Sequence, residues 1–307
     1  MAQIECISLY TGNTVEIPEE SVLCLGNFDG VHLAHRTLLQ TALQLRDQVH
    51  PNAVCGVFCF REHSADYLSN SSVPHLCTTA QKLERFRDIG MDVVFLADFP
   101  SIRSLSPQAF VQTVLKDLCH CVGAVCGFNY RFGKNAMGTA QDLSALLDAP
   151  VRICDEFLVD GQTVSSTQIR TLLANGDVEH AAKLLTLPYS ITAPVIHGKA
   201  LGRKLGTPTV NQAFPKGLQI PKHGVYLTDC RIGQKHYRGV TNVGVRPTVD
   251  IQAQVNCETY LLDFTGDVYG EEIETSFLRF LRPEQKFQNQ EELRNQILLD
   301  IEAAKQF

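Results

Sequence analysis

No C-x-x-C pair occurs among the 11 cysteines of this 307-residue chain. The nearest spacings, Cys55 with Cys59 and Cys119 with Cys121, do not make a zinc-ligand framework. The cysteine number is odd, and Cys24, Cys55 and Cys126 sit in apolar runs where cysteine serves as a small buried hydrophobe. The expectation is reduced, structural thiols in a cytoplasmic protein. An excess of basic charge is also missing. The formal net charge is -6, which excludes a mainly electrostatic nucleic-acid binder. Residues 1–186 carry 13 Lys and Arg against 20 Asp and Glu, and residues 187–307 carry 14 against 13. The acidity therefore belongs to the first part, and a local phosphate site fits either. No apolar run approaches the ~20 residues of a membrane span. Met1–Asn13 has no basic region followed by an apolar stretch, so no signal peptide is expected. Internal repeats and low-complexity tracts are absent, and no obligate protein partner is indicated.

What is present is a soluble composition, 44% hydrophobic and 20% charged, in a chain longer than a single core usually supports. Two domains are expected. In the first part, short apolar segments alternate with helical spacing. Ser21–Gly26, Ala53–Phe60, Asp92–Leu96, Val122–Gly127 and Val151–Cys154 read as strands. His35–Val49, Thr79–Ile89, Ser106–Cys119 and Thr139–Leu147 read as helices between them. This alternation predicts a doubly wound parallel sheet. Ser165–Leu173 and Val178–Leu185 add two helices. The second part changes period. Ile191–His197, Gly224–Ile232, His236–Val243, Asn256–Phe264 and Glu271–Leu281 are strand-like and separated by turn formers. They predict a small antiparallel barrel, with Glu291–Lys305 as a closing amphipathic helix. The fold class is α/β plus all-β.

Two segments of the first part suit phosphate chemistry. Gly26-Asn27-Phe28-Asp29-Gly30-Val31-His32-Leu33-Ala34-His35 lies between the first strand and the first helix. In a doubly wound sheet, ligands bind at the carboxyl ends of strands, and a helix N-terminus there attracts anions. His32 and His35, three apart, share one side of a helical turn. A metal pair is the alternative, but no third ligand stands nearby. Val164–Arg170 puts the hydroxyls of Ser165, Ser166 and Thr167 at a helix start and Arg170 one turn on. A plain helix cap with a surface arginine is the other reading of that segment.

The second part carries Gly198-Lys199-Ala200-Leu201-Gly202-Arg203-Lys204-Leu205-Gly206-Thr207-Pro208-Thr209-Val210-Asn211. It fails the Walker A spacing. Its glycines still allow close approach, and its cations suit nucleotide phosphates, although basic glycine turns also occur as ordinary hairpins. Thr209 and Asn211 offer hard oxygen atoms of the kind a magnesium ion accepts.

Together, the H-x-x-H turn and the helix start at Ser165 resemble the ATP site of the nucleotidylyltransferase superfamily. The match narrows to the bacterial bifunctional riboflavin kinase/FAD synthetase family. Gly26, Phe28, Asp29, Gly30, His32 and His35 fit its G-x-F-D-G-x-H-x-G-H turn, and Gly127–Gly133 fits its second loop. Residues 198–211 resemble its kinase pattern ending in P-T-A-N, and Asn242–Thr248, Cys257–Tyr260 and Leu281-Arg282 follow in family order. The resemblance implies a nucleotidylyltransferase (Rossmann-like) domain over 1–186 and a riboflavin kinase barrel over 187–307. It implies phosphorylation of riboflavin to FMN and adenylylation of FMN to FAD, with ATP as co-substrate and Mg2+ as cofactor. By this resemblance His32, His35 and Arg170 act in adenylyl transfer, and Gly26, Asn27, Phe28, Asp29, Gly30, Asn129, Ser165, Ser166 and Thr167 bind nucleotide. Gly198, Lys199, Gly202, Gly206 and Thr209 hold the second nucleotide, and Thr209 and Asn211 hold the metal. Glu258 is the catalytic base for the riboflavin hydroxyl, and His63 and Arg282 contact substrate.

Ala34 stands where the family has a second glycine. The family's F-x-P-H-P loop is replaced by Phe60-Arg61-Glu62-His63-Ser64, which keeps the histidine and lacks both prolines. In the first half, Ala34 and this loop motivate an alternative, a working kinase with an impaired adenylyltransferase. A flavin- or nucleotide-binding regulator without chemistry is the third reading.

Overall fold

The computed structural model describes residues 5–9, 20–61, 73–198, 208–246 and 254–307. Two compact units emerge, Met1–Ser166 and Thr167–Phe307.

In the first unit six strands form a parallel sheet in the order β1-β4-β3-β2-β5-β8. They are β1 Glu5–Leu9, β2 Ser21–Leu25, β3 Val54–Phe60, β4 Val93–Ala97, β5 Cys121–Gly127 and β8 Val151–Cys154. Two small hairpins, β6 Arg131–Phe132 with β7 Gly138–Thr139 and β9 Leu158–Val159 with β10 Gln162–Thr163, lie outside it. The apolar strands are buried on both faces, which is why they read as near-continuous apolar runs. Along β2, Leu23 and Leu25 enter one core with Phe58, Phe95, Phe110 and Leu115, while Val22 and Cys24 enter the other with Leu39, Val57 and Phe86.

Helices α1 Leu33–Val49 and α2 Thr79–Ile89 bury residues in the second of these cores. α3 Phe99–Ile102 is a single turn. α4 begins at Pro107–Ala109, where Ser106 caps it, and continues with π-helical hydrogen bonding over Phe110–Leu118. With α5 Ala140–Leu147 it covers the first core. The sheet is doubly wound, as its apolar periodicity predicts. α2 ends at Gly90, whose φ of 97° suits a left-handed cap. Strand order reverses between β2 and β5, so the loops after these two strands flank the switch point where such sheets bind ligands.

In the second unit six antiparallel strands close into a barrel in the order β11-β12-β15-β14-β13-β16. They are β11 Tyr189–Ile196, β12 Thr209–Ala213, β13 Gly224–Ile232, β14 Lys235–Arg246, β15 Gln254–Leu261 and β16 Glu272–Pro283. Closure removes the exposed edges that an open sheet would offer to other chains. One face of the strands is inward and fully buried. Thr228, Thr241 and Thr259 form a hydroxyl chain there at 2.7 and 2.8 Å. Thr275 donates to Gln212 Oε1 at 2.7 Å, and the Gln212 amide donates to the carbonyls of Ala193 and Ile273. These buried polar groups are satisfied by one another.

Helices α6 Ser166–Asn175 and α7 Val178–Leu185 precede the barrel. The boundary between units falls twenty residues before the 186/187 division expected from the sequence. The reason is the apolar face of α7, which buries Val178, Ala181, Leu184 and Leu185 and packs on β11 and β16. α8 Gln290–Lys305, capped by Asn289, packs Ile301 and Ala304 against Val225, Leu227 and Val240 on the outside of the barrel. Among the described residues no helix is long and apolar enough to cross a membrane.

Candidate active sites

In the first unit a cleft of about 770 Å³ opens at the switch point. It is lined by Gly26, Asn27, Phe28, Asp29, His32 and His35 from the turn after β2. Gly127, Asn129 and Gly133 come from the loop after β5, and Ser165 and Ser166 from the start of α6. Three segments far apart in sequence therefore line one cleft. Gly30 sits inside the turn with φ 82°.

His32 is the N-cap of α1, and its Nδ1 accepts the backbone N–H of His35 at 3.4 Å. That bond puts the His32 ring proton on Nε2. The rings of His32 and His35 stack with centroids 3.6 Å apart. The first turn of α1 contains no acidic side chain, so its dipole and free N–H groups remain available to an anion. Ala34 lies within α1 and lines the cleft. Helical backbone does not require glycine there.

Phe28 and Asp29 line the cleft and also hold the turn together. The Phe28 ring is fully buried, edge-on to His35 and Phe86. The Asp29 carboxylate accepts the Leu76 N–H at 2.8 Å, and its carbonyl accepts the Ser166 hydroxyl at 3.0 Å. Both side chains build the turn. Phe60, Phe99, Phe110 and Phe132, each from a different element, form an aromatic wall of the cleft; of these, Phe99 alone lay outside the segments named from the sequence. Thr167 and Arg170 lie on α6 in the second unit. His63 is outside the described residues.

Burial, the adjacent His32 and the Lys82 cation hold the His35 pKa well below the ordinary imidazole value. His35 is thus neutral at pH 7. The unfolded chain takes up a proton near pH 6.5 and the folded one only at lower pH, so the first unit loses stability as pH falls through 6.5. The loss levels off once pH drops below the folded pKa. Urea midpoints at pH 7.5 and 5.5 will show this acid-side loss, and His35→Gln will reduce it. Equal pH slopes for both proteins would contradict the assignment.

In the second unit Asn211, Glu258 and Arg282 fall on one row of the barrel. Asn211 on β12 pairs with Glu258 on β15, which pairs with Asn242 on β14. Asn242 pairs with Val225 on β13, and Val225 with Arg282 on β16. Directly paired residues share a face, here the one opposite the buried threonines. Glu258, Asn242, Arg282, Thr209 and Tyr260 line a pocket of about 350 Å³ together with Ile297 and Asp300 of α8.

The Asn211 side chain is 5% exposed, and its Oδ1 is buried without a hydrogen-bond partner. Gly198 lies against it, and a Cβ at 198 would run into the Asn211 carboxamide. Arg282 is held by a forked ion pair to Asp300, with Nε to Oδ1 at 3.0 Å and Nη2 to Oδ2 at 2.8 Å. Gln296 adds a bond to the same carboxylate. Asn242 and Asp300 were not singled out in the sequence, since strand pairing and helix docking bring them to the pocket. Lys199, Gly202 and Gly206 lie outside the described residues.

Comparison with known proteins follows the same division. Residues 14–168 match the FAD synthetase family model, and residues 185–307 match the riboflavin kinase model. The bifunctional riboflavin kinase/FMN adenylyltransferase of Listeria monocytogenes is 35% identical over 93% of this chain and 92% of its own length. The Bacillus subtilis protein of the same name is 34% identical over 93% and 92%, and that of Escherichia coli 32% over 96% and 95%. A crystal structure described as a macrolide-efflux protein from Streptococcus pneumoniae is similar at a TM-score of 0.91 and 29% identity, over 99% of this chain and all of that one. With both family models matched in order and relatives above 30% identity along nearly its whole length, the chain belongs to the bifunctional riboflavin kinase/FMN adenylyltransferase family.

Proposed function

We propose that this protein converts riboflavin to FMN and FMN to FAD, using ATP in both steps. The observation that carries the kinase assignment is the row Asn211–Glu258–Asn242 beside Arg282 on one face of the barrel. Glu258 accepts the proton of the riboflavin 5′-hydroxyl as that oxygen attacks the γ-phosphorus. The bond from the γ-phosphorus to the bridging oxygen breaks, and ADP leaves.

The unpartnered Asn211 Oδ1 and the nearby Thr209 hydroxyl fit a magnesium ion, which favours hard oxygen atoms. Among the described residues no group of three or more His, Cys, Asp or Glu is placed to hold a metal. Thr209 and Asn211 would therefore share the ion with ATP. When bound, it supplies positive charge to the β- and γ-phosphates. Gly198 leaves room for the Asn211 carboxamide.

In the first unit an FMN phosphate oxygen attacks the α-phosphorus of ATP, and pyrophosphate departs. No protein nucleophile is needed; positioning and charge stabilisation suffice. His32 Nε2–H and the first N–H groups of α1 are the donors, and the cleft accommodates nucleotide beside its aromatic wall. The functional boundary proposed at 186/187 is supported by a riboflavin kinase match that begins at residue 185. Segment 167–186 packs with the barrel. The ten described cysteines are all free thiols, which fits a reducing cytoplasm.

Incubating the protein with riboflavin, ATP and Mg2+ and resolving the flavins tests this reading. FMN followed by FAD is expected. FMN alone would leave a kinase with an impaired first site, and no product would sink both enzyme assignments.

A further inference from the structure

The turn between β2 and α1 runs through three residues of positive φ: Phe28 at 52°, Gly30 at 82° and Val31 at 43°. Such backbone is unfavourable for a bulky or β-branched side chain and persists where its surroundings over-determine it. Much of that restraint comes from residues 76–85. The Leu76 N–H donates to Asp29, and Cys77 Sγ accepts the Gly30 N–H at 3.3 Å. From α2, Lys82 Nζ donates to the Asn27 carbonyl at 3.0 Å and Arg85 Nη1 to the Gly30 carbonyl at 2.7 Å. Three residues apart, the two cations share a side of the helix.

Arg85 is 6% exposed, and among the described residues no carboxylate pairs with it. A buried charge without a counterion is costly unless something else requires it. Arg36 of α1 lies within electrostatic reach and repels it. A charge-assisted bond to a carbonyl is also stronger than a neutral one.

We propose that Arg85 is a positioning residue for adenylyl transfer, clamping the Gly30 carbonyl so that the left-handed turn presents His32 and the start of α1 to the triphosphate. The inference rests on the adenylyl-transfer reading of this cleft. It adds a residue on a helix outside the cleft lining, acting through the backbone.

The full-length protein carrying Arg85→Leu or Arg85→Lys tests it. In Arg85→Leu, kcat for FAD formation from FMN falls about 10²-fold, the loss that an ångström of misplacement produces. Arg85→Lys, which keeps a charged donor, recovers to within about tenfold of the unaltered protein. Riboflavin phosphorylation by the same molecules stays unchanged and reports that the second unit is folded, while protection of the first unit's sheet strands reports that unit. Hydrogen exchange of the peptide spanning residues 26–35 accelerates in Arg85→Leu, while the strands of the same sheet keep their protection.

Unaltered turnover in Arg85→Leu would overturn the proposal. So would a lysine variant no better than leucine, or faster exchange across the whole sheet, which would mark general support of the fold. If the unaltered protein makes no FAD from FMN, the adenylyl-transfer reading fails by itself. The exchange pattern then decides the clamp.

Discussion

Glu258→Gln lowers the rate of FMN formation by roughly 10²–10⁴-fold, the contribution of a positioned general base, while FAD still forms from supplied FMN. Glutamine keeps the size and the hydrogen-bonding reach of the side chain but cannot take the hydroxyl proton. Glu258 lies on the exposed side of β15, so the fold does not depend on its charge. The substitution therefore reads the chemistry of one atom. Its neighbours in the row, Asn211 and Asn242, are carboxamides and cannot replace it as a base. Flavins resolved by chromatography after single additions of riboflavin or of FMN separate the two activities. FMN formation surviving the change would remove Glu258 from the mechanism.

The complementary result is expected at the first site. His32→Asn lowers FAD formation about 10²–10³-fold, as loss of a donor to developing charge does, and leaves riboflavin phosphorylation intact. Asparagine is chosen because His32 has two roles. Its Nδ1 caps α1 by accepting the His35 N–H, and Nε2–H is the donor proposed for the transferring group. An asparagine side chain is itself a favoured N-cap. The variant thus keeps the helix start and removes the donor. Retained FAD formation in a protein of unchanged thermal midpoint would show that capping is the sole role of His32.

Much of this was legible in the sequence, for identifiable reasons. Apolar segments such as Ser21–Leu25 mark buried strands, and Gly90 marks the end of α2 because its φ is left-handed. Strand β12 was not legible. Thr209–Ala213 follows a glycine-rich stretch and reads as the tail of a loop until its pairing with β15 is seen. Asn242 was named only as part of a family motif, and its place beside Glu258 was not legible for the same cause: a partner sixteen residues away is fixed by register, which one strand's composition does not encode. Arg85 was hidden by a sound rule, that charges on a helix face water. The edge strand β1 lay in a segment read only for targeting signals.

The row Asn211–Glu258–Asn242–Val225–Arg282 is also a ruler. Its graduations are the inter-strand spacing of a β-sheet, about 4.8 Å, and barrel closure stops any strand from sliding past its neighbour. Asn211, the proposed metal ligand, and Glu258, the proposed base, are set one graduation apart, and Arg282 lies three beyond Glu258. Exchanging Glu258 with Asn242 would keep every functional group yet shift the base by one graduation, farther than the ~3 Å over which a hydroxyl proton is handed on. In such a barrel, catalytic composition and catalytic distance are inherited separately, the first through side chains and the second through strand pairing.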